Sequence, residues 1–154
     1  MRVNVYRTEL WDDRQPVLVK ECGHNYSKLE SVTNPEDVTR FFNDLFHADR
    51  LAEEHVWLLG FDTKLKPLGV FEISHGSVAS SCCTPREVFV RLLLCGATGF
   101  IVAHNHPSGD VIPSKEDGLT TSRLEKAGEI INIPLIDHII IGNNRFYSFK
   151  EMNR

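Results

Sequence analysis

No run of apolar residues in this 154-residue chain approaches the roughly 18 that a membrane-spanning helix needs, so no membrane partner is expected. No cluster of Lys or Arg marks a nucleic-acid footprint, and the formal net charge of −4 argues against a dedicated duplex binder. The four cysteines, Cys22, Cys82, Cys83 and Cys95, include no C-x-x-C pair, which removes the dithiol redox motifs and the common zinc ribbons. No secretory leader is discernible in the charged N-terminal segment, so the expectation is a cytoplasmic protein with reduced thiols. Cys82 and Cys83 are adjacent and would share an ion awkwardly; they read as buried or loop thiols. Internal repeats and low-complexity segments are also missing.

What is present suits one domain with a sizeable core. An apolar fraction of 42% against 25% charged residues excludes wholesale disorder. The first thirty residues read as a strand-like appendage, with short strands around Val3, Val5 and residues 16–19 flanking a polar stretch. Residues 22–34 read as a polar connection. This divides the chain into an appendage, 1–31, and a main domain, 32–154, starting near Val32.

Asn34 and Pro35 open a helix whose Val38, Phe41, Phe42 and Leu45 form one apolar stripe. Residues 54–61 and 68–73 read as a hairpin turning at Asp62. Thr84, Pro85 and Glu87 signal a second helix start with a capping box, and Gly96 its end. That helix is apolar around much of its circumference and is expected to be well buried. The continuous apolar run 99–103 suits a strand covered on both faces. Ser114 caps a third helix with Leu119, Leu124 and Ala127 inward; 135–141 and 146–149 are further strands. This alternation predicts an α/β (α+β) fold, helices packed on a mixed sheet, with a site where a central strand ends in a loop.

At that place stand His104 and His106. Residues i and i+2 of an extended segment share a face, so both imidazoles can reach one ion. Asp117, one turn into the next helix, can supply a third ligand and leave a fourth position for water, as catalytic zinc sites do. Such an ion would lower the water's pKa toward about 7. Taken singly, each residue also has an ordinary role: a polar strand end, or a carboxylate favouring a helix N-terminus.

The spacing of His104, His106, Ser114 and Asp117 is that of the JAMM metallopeptidase signature. With Thr84-Pro85-Arg86-Glu87-Val88-Phe89, the heptapeptide 104–110 (His-Asn-His-Pro-Ser-Gly-Asp) and Leu135-Ile136-Asp137-His138-Ile139-Ile140-Ile141-Gly142, the chain resembles the RadC-like branch of the JAB/MPN domain family from about Val32 onward. The resemblance implies a cytidine-deaminase-like three-layer α/β/α fold and one Zn²⁺ held by His104, His106 and Asp117. It also implies hydrolysis of a peptide or isopeptide bond by an activated water, with an upstream Glu as general base and Ser114 stabilising the oxyanion. Glu54, at the start of a strand, is the first candidate base and Glu72 the second; Glu53 would point away.

Asp137 could orient a ligand histidine. His138 reads as a hydrogen-bonded core residue, and His24, His47, His55 and His75 show no ligand-like spacing. The longer RadC-like form carries a helix-hairpin-helix module, in whose place the strand-like appendage stands here. The alternatives are a non-catalytic interaction module, or an accessory protein in DNA repair, recombination or mobile-element processing. A nucleobase deaminase lacks support, because the H-x-E and P-C-x-x-C pattern is missing. A peptide or protein substrate is the expected partner; direct nucleic-acid binding is disfavoured, and a homodimer is left open.

Overall fold

A computed structural model describes residues 2–27, 34–76 and 83–152. The expected domain start at Val32 and the residue Cys82 lie outside these. The described elements are β1 (Arg2–Leu10), β2 (Pro16–Asn25), α1 (Pro35–Phe46), a 3-10 turn (Ala48–Arg50), β3 (His55–Phe61) and β4 (Pro67–His75). They continue with α2 (Pro85–Cys95), β5 (Gly99–Asn105), α3 (Lys115–Ile131), β6 (Leu135–Ile141), β7 (Phe146–Ser148) and α4 (Phe149–Met152). The strands form one mixed sheet in the order β2-β1-β4-β3-β5-β6-β7. β5 pairs antiparallel with β3 and parallel with β6, so it is central, and all seven of its residues are buried.

Side-chain alternation along β5 feeds two cores. Ile101 and Ala103 face α1 together with Trp57, while Phe100 and Val102 face α2 and α3. Asn34 caps α1 as its spacing predicts, accepting the Asp37 N–H at 2.8 Å. The stripe of that helix buries Phe41 and Phe42 against Trp57. Each such side chain contributes about 1.5–3 kcal/mol by leaving water. The layers are therefore helix, sheet and helices, as expected.

Several local expectations are corrected. The N-terminal strands are long; β2 takes in Cys22–Asn25 of the expected polar connection, and β1 joins the main sheet beside β4. Helix α2 is not buried all round: Val88, Phe89 and Leu92 are covered, but Leu93 and Leu94 are exposed. Thr84 caps α2, yet the Glu87 carboxylate turns to Arg86 and Arg91, so the expected reciprocal capping box is not made there. In α3 Leu119 points outward, and the inward places are held by Thr121 and Leu124. Phe149 starts α4 rather than ending a strand.

The loop after β5 is fastened to the end of β6. His106 N–H donates to Ile141 O at 2.9 Å, and Asn143 N–H to Gly109 O at 3.4 Å. Gly109 takes φ 79, which glycine adopts without strain. Gly142 allows the close approach: a Cβ there would lie 2.5 Å from Gly109 O, which is backbone and cannot swing aside. Gly142→Ala is therefore expected to cost about 1–3 kcal/mol. Urea unfolding should show a lower midpoint at unchanged slope; an unchanged midpoint would refute this account of the loop.

Candidate metal centre

The structure brings His104, His106 and Asp117 together, with their ligand atoms all within 4.8 Å of one another. His104 Nε2 lies 3.0 Å from His106 Nε2 and 3.4 Å from Asp117 Oδ1, and His106 Nε2 lies 3.7 Å from Asp117 Oδ2. These spacings bracket the roughly 3.3 Å between ligand atoms of a tetrahedral ion bound at about 2.0–2.1 Å. His104 is the penultimate residue of β5 and His106 follows the strand, so the pleat turns both rings to one side.

Asp117 is aimed by its own helix start. Ser114 is the N-cap, and its N–H and hydroxyl each donate to Asp117 Oδ2 at 2.7 Å, while Ser114 Oγ accepts the Asp117 N–H at 3.1 Å. This reciprocal capping box leaves Oδ1 facing His104.

Hydrogen bonding sets the tautomers. The Asp110 carbonyl can only accept, so His106 donates from Nδ1 at 2.7 Å and turns its Nε2 to His104. Behind His104 runs a longer chain. Thr121 donates its hydroxyl to Asp117 O at 2.7 Å, so it must accept from His138 Nδ1, also at 2.7 Å. His138 Nε2 is then the acceptor for His104 Nδ1–H at 2.9 Å, and His104 Nε2 is turned to His106. Full burial holds the His138 pKa well below the usual range, so that ring stays neutral. Burial likewise lowers His104 to about 4, with Asp117 opposing and His106 reinforcing the shift.

With both rings neutral, these bonds leave two unprotonated imidazole nitrogens facing each other and a carboxylate. A cation at the point they share satisfies all three, so the donor set fits a metal ion and would leave its coordination shell incomplete.

Glu54 immediately precedes β3 and shares a small cavity with Val56, Cys83, Val102, His104 and Asp117. Burial raises its carboxyl pKa; His106 opposes the shift and Asp117 adds to it. Asn105, itself buried, holds this segment. Its side chain accepts the His55 N–H at 2.8 Å and donates to Glu53 O at 3.0 Å, clasping the peptides on both sides of Glu54. Glu53 is exposed. Glu72, the second candidate base, pairs in register with Trp57 on the α1 side of the sheet and is bonded to His75, so it lies on the face away from His104.

Asp137 does not orient a ligand. Its carboxylate accepts from Ser148 Oγ, His138 N–H and Lys150 N–H. The orienting part falls to His138 and Thr121, and the clasp to Asn105. Their only signals in the sequence were a His in an apolar strand, a Thr four residues after Asp117, and an Asn between two histidines. A wider groove between α1 and the β6–β7 turn, bordered by Arg40, Arg50 and Arg145, contains none of these residues.

The family model for the RadC-like JAB domain matches residues 32–154. A UPF0758 protein of Moorella thermoacetica is 44% identical over 123 residues, covering 79% of this chain and 52% of that protein. A UPF0758 protein of Clostridioides difficile is 44% identical over 120 residues, covering 78% and 50%. One of Bacillus cereus is 40% identical over 142 residues, covering 89% and 62%. The chain spans about half the length of the first two of these curated relatives. Among the described residues no helix is long and apolar enough to cross a membrane.

His138→Phe keeps a ring to stack on Phe149 but removes the acceptor that holds His104 Nδ1–H. It is expected to weaken metal binding about 10–100-fold in a competition titration; wild-type affinity would refute the chain of bonds. The same site sets a pH dependence. Metal-free protein keeps His104 and His138 neutral below the usual 6.5, while the unfolded chain binds protons there. Stability in a chelator should therefore fall as pH drops from 6.5 toward about 4, and fall less steeply in His138→Phe. Thermal midpoints across that range test the sign.

Proposed function

The chain belongs to the RadC-like JAB domain family, and from that premise we propose that it is a zinc-dependent hydrolase of the JAMM type acting on a peptide or isopeptide bond. The observation that carries the proposal is the pair of Nε2 atoms 3.0 Å apart beside Asp117, with Glu54 lining the same cavity. Two imidazoles and one carboxylate are the donor set of catalytic zinc, borderline in softness and incomplete as a coordination shell. When bound, zinc lowers the pKa of a water toward about 7 and polarises a carbonyl oxygen.

The chain's own groups do the rest. His104, His106 and Asp117 would hold the ion, the first two through Nε2 with their Nδ1 atoms fixed by His138 and Asp110. Glu54 takes a proton from the attacking water as its oxygen bonds to the amide carbon. It then returns that proton to the leaving nitrogen as the C–N bond breaks. A raised pKa suits this duty, because the carboxyl must both accept and release the proton. Asn105 keeps the segment in place through the peptides it clasps.

Ser114 has two calls on one hydroxyl. In this structure it donates to Asp117 Oδ2. For the oxyanion role it turns that proton toward the charge developing on the substrate oxygen, while its backbone N–H keeps Asp117 oriented.

Glu54→Gln is expected to retain one zinc per chain and lose at least about 10²-fold in hydrolysis. Quenched-fluorescence peptides and a Lys-branched isopeptide are suitable probes, with metal content measured in parallel. Undiminished turnover by this variant would remove Glu54 as the base. Ser114→Ala should lower stability by about 0.5–2 kcal/mol through the lost cap. Its kcat should fall by about 10²–10³ at retained metal content; wild-type kcat in the loaded variant would leave Ser114 with the cap alone.

A further inference from the structure

The far face of the sheet carries another convergence of ligand-type side chains, at His55, Glu72 and His75. His55 is the first residue of β3 and His75 the last of β4, and they are direct cross-strand partners. Glu72 and His75 are three apart, and in a regular strand an odd separation puts two side chains on opposite faces. A bulge changes this. The register runs His55↔His75, Val56↔Ser74, Trp57↔Glu72, leaving Ile73 as the extra residue on β4. That residue turns Glu72 to the side of His75 and His55. Bulges re-aim side chains in this way and recur beside functional sites.

The three groups are already in position. Glu72 Oε1 lies 3.3 Å from His55 Nδ1 and 2.9 Å from His75 Nδ1. The His55 ring is held between two neighbours, stacked on buried Trp57 at 5.5 Å and on His75 at 5.4 Å. Arg7, which borders the same surface, is engaged by Glu9 and Glu21. Ordering the ligands therefore costs little further entropy. Access is open, since the Glu72 and His75 side chains are 44% and 64% exposed.

We propose that His55, Glu72 and His75 form a second metal site, separate from the His104 centre, for a borderline divalent transition cation. Two imidazoles and a carboxylate favour Cu²⁺ over Ni²⁺ and Zn²⁺ by the usual affinity order, and leave positions for water or another ligand. A cation held there ties the first residue of β3 to the last of β4 and so closes the open end of that hairpin. The competing account gives the same geometry to two imidazole N–H groups shared by one carboxylate, with no affinity for metal.

Trp57 offers a local readout, because a paramagnetic ion on the adjacent ring quenches its emission. The chain has two tryptophans, and Trp11→Phe leaves Trp57 as the sole reporter. In that background, titration with CuCl₂ at neutral pH is expected to quench Trp57 and to show two equivalents bound per chain by equilibrium dialysis. Adding His75→Ala should abolish the quenching and reduce uptake to one equivalent. Adding Glu72→Gln, which keeps the side chain's shape, should weaken both effects. Adding His106→Ala instead should remove the other equivalent and leave the quenching intact, which separates this site from the proposed catalytic one. Quenching that is absent from the start, or that persists unchanged in His75→Ala, overturns the proposal.

Discussion

The Nε2 atoms of two neutral imidazoles turned toward each other at 3.0 Å repel unless a proton or another cation lies between them. Most of what is distinctive about this protein serves to hold that arrangement. The Nδ1 protons are committed elsewhere: His106 donates to Asp110 O, and His104 to His138. His138 can accept only because Thr121 and burial fix its own proton on the far nitrogen. The candidate metal centre is therefore defined as much by the backbone carbonyls of Asp110 and Asp117, which end these chains, as by the three candidate ligands.

Rigid surroundings make this practicable. β5 is buried from end to end between β3 and β6, so His104 has little freedom to swing away. The loop that carries His106 is hydrogen-bonded to the end of β6, where Gly142 lets two backbones approach closely. Asp117 is placed by a capping box that also stabilises its helix, so the same bonds serve fold and site. Asn105 sits between the two histidines in sequence but faces the other way, where it clasps the segment holding Glu54. One tripeptide at the end of β5 thereby carries two candidate ligands and the group that positions the candidate base.

The two faces of the sheet use this geometry differently. On the α2/α3 side the ligand-type groups are largely buried and tied by hydrogen bonds to neighbouring side chains and backbone. On the α1 side, at the start of β3, a one-residue bulge brings Glu72 beside His55 and His75 within reach of water. The sheet is the same; what differs is whether helices cover it, and hence whether the polar groups there must find partners within the protein.

The sequence alone determined whatever depends on contacts within a turn or a pleat. The cap at Asn34, the box at Ser114 and Asp117, the common side of His104 and His106, and the covered strand β5 are all encoded over a few residues, where spacing translates directly into geometry. Tertiary structure decided the rest. Glu54 and His104 are fifty positions apart and meet only through the pairing of β3 with β5. His138 reaches His104 through the parallel pairing of β5 with β6, and Leu119 faces solvent because of how α3 lies on the sheet. His55 and His75 had no readable spacing because their meeting with Glu72 depends on a bulge that alternation does not foretell. Strand register and helix placement are set by the sum of many packing contacts, so no local pattern announces which distant side chains they bring together.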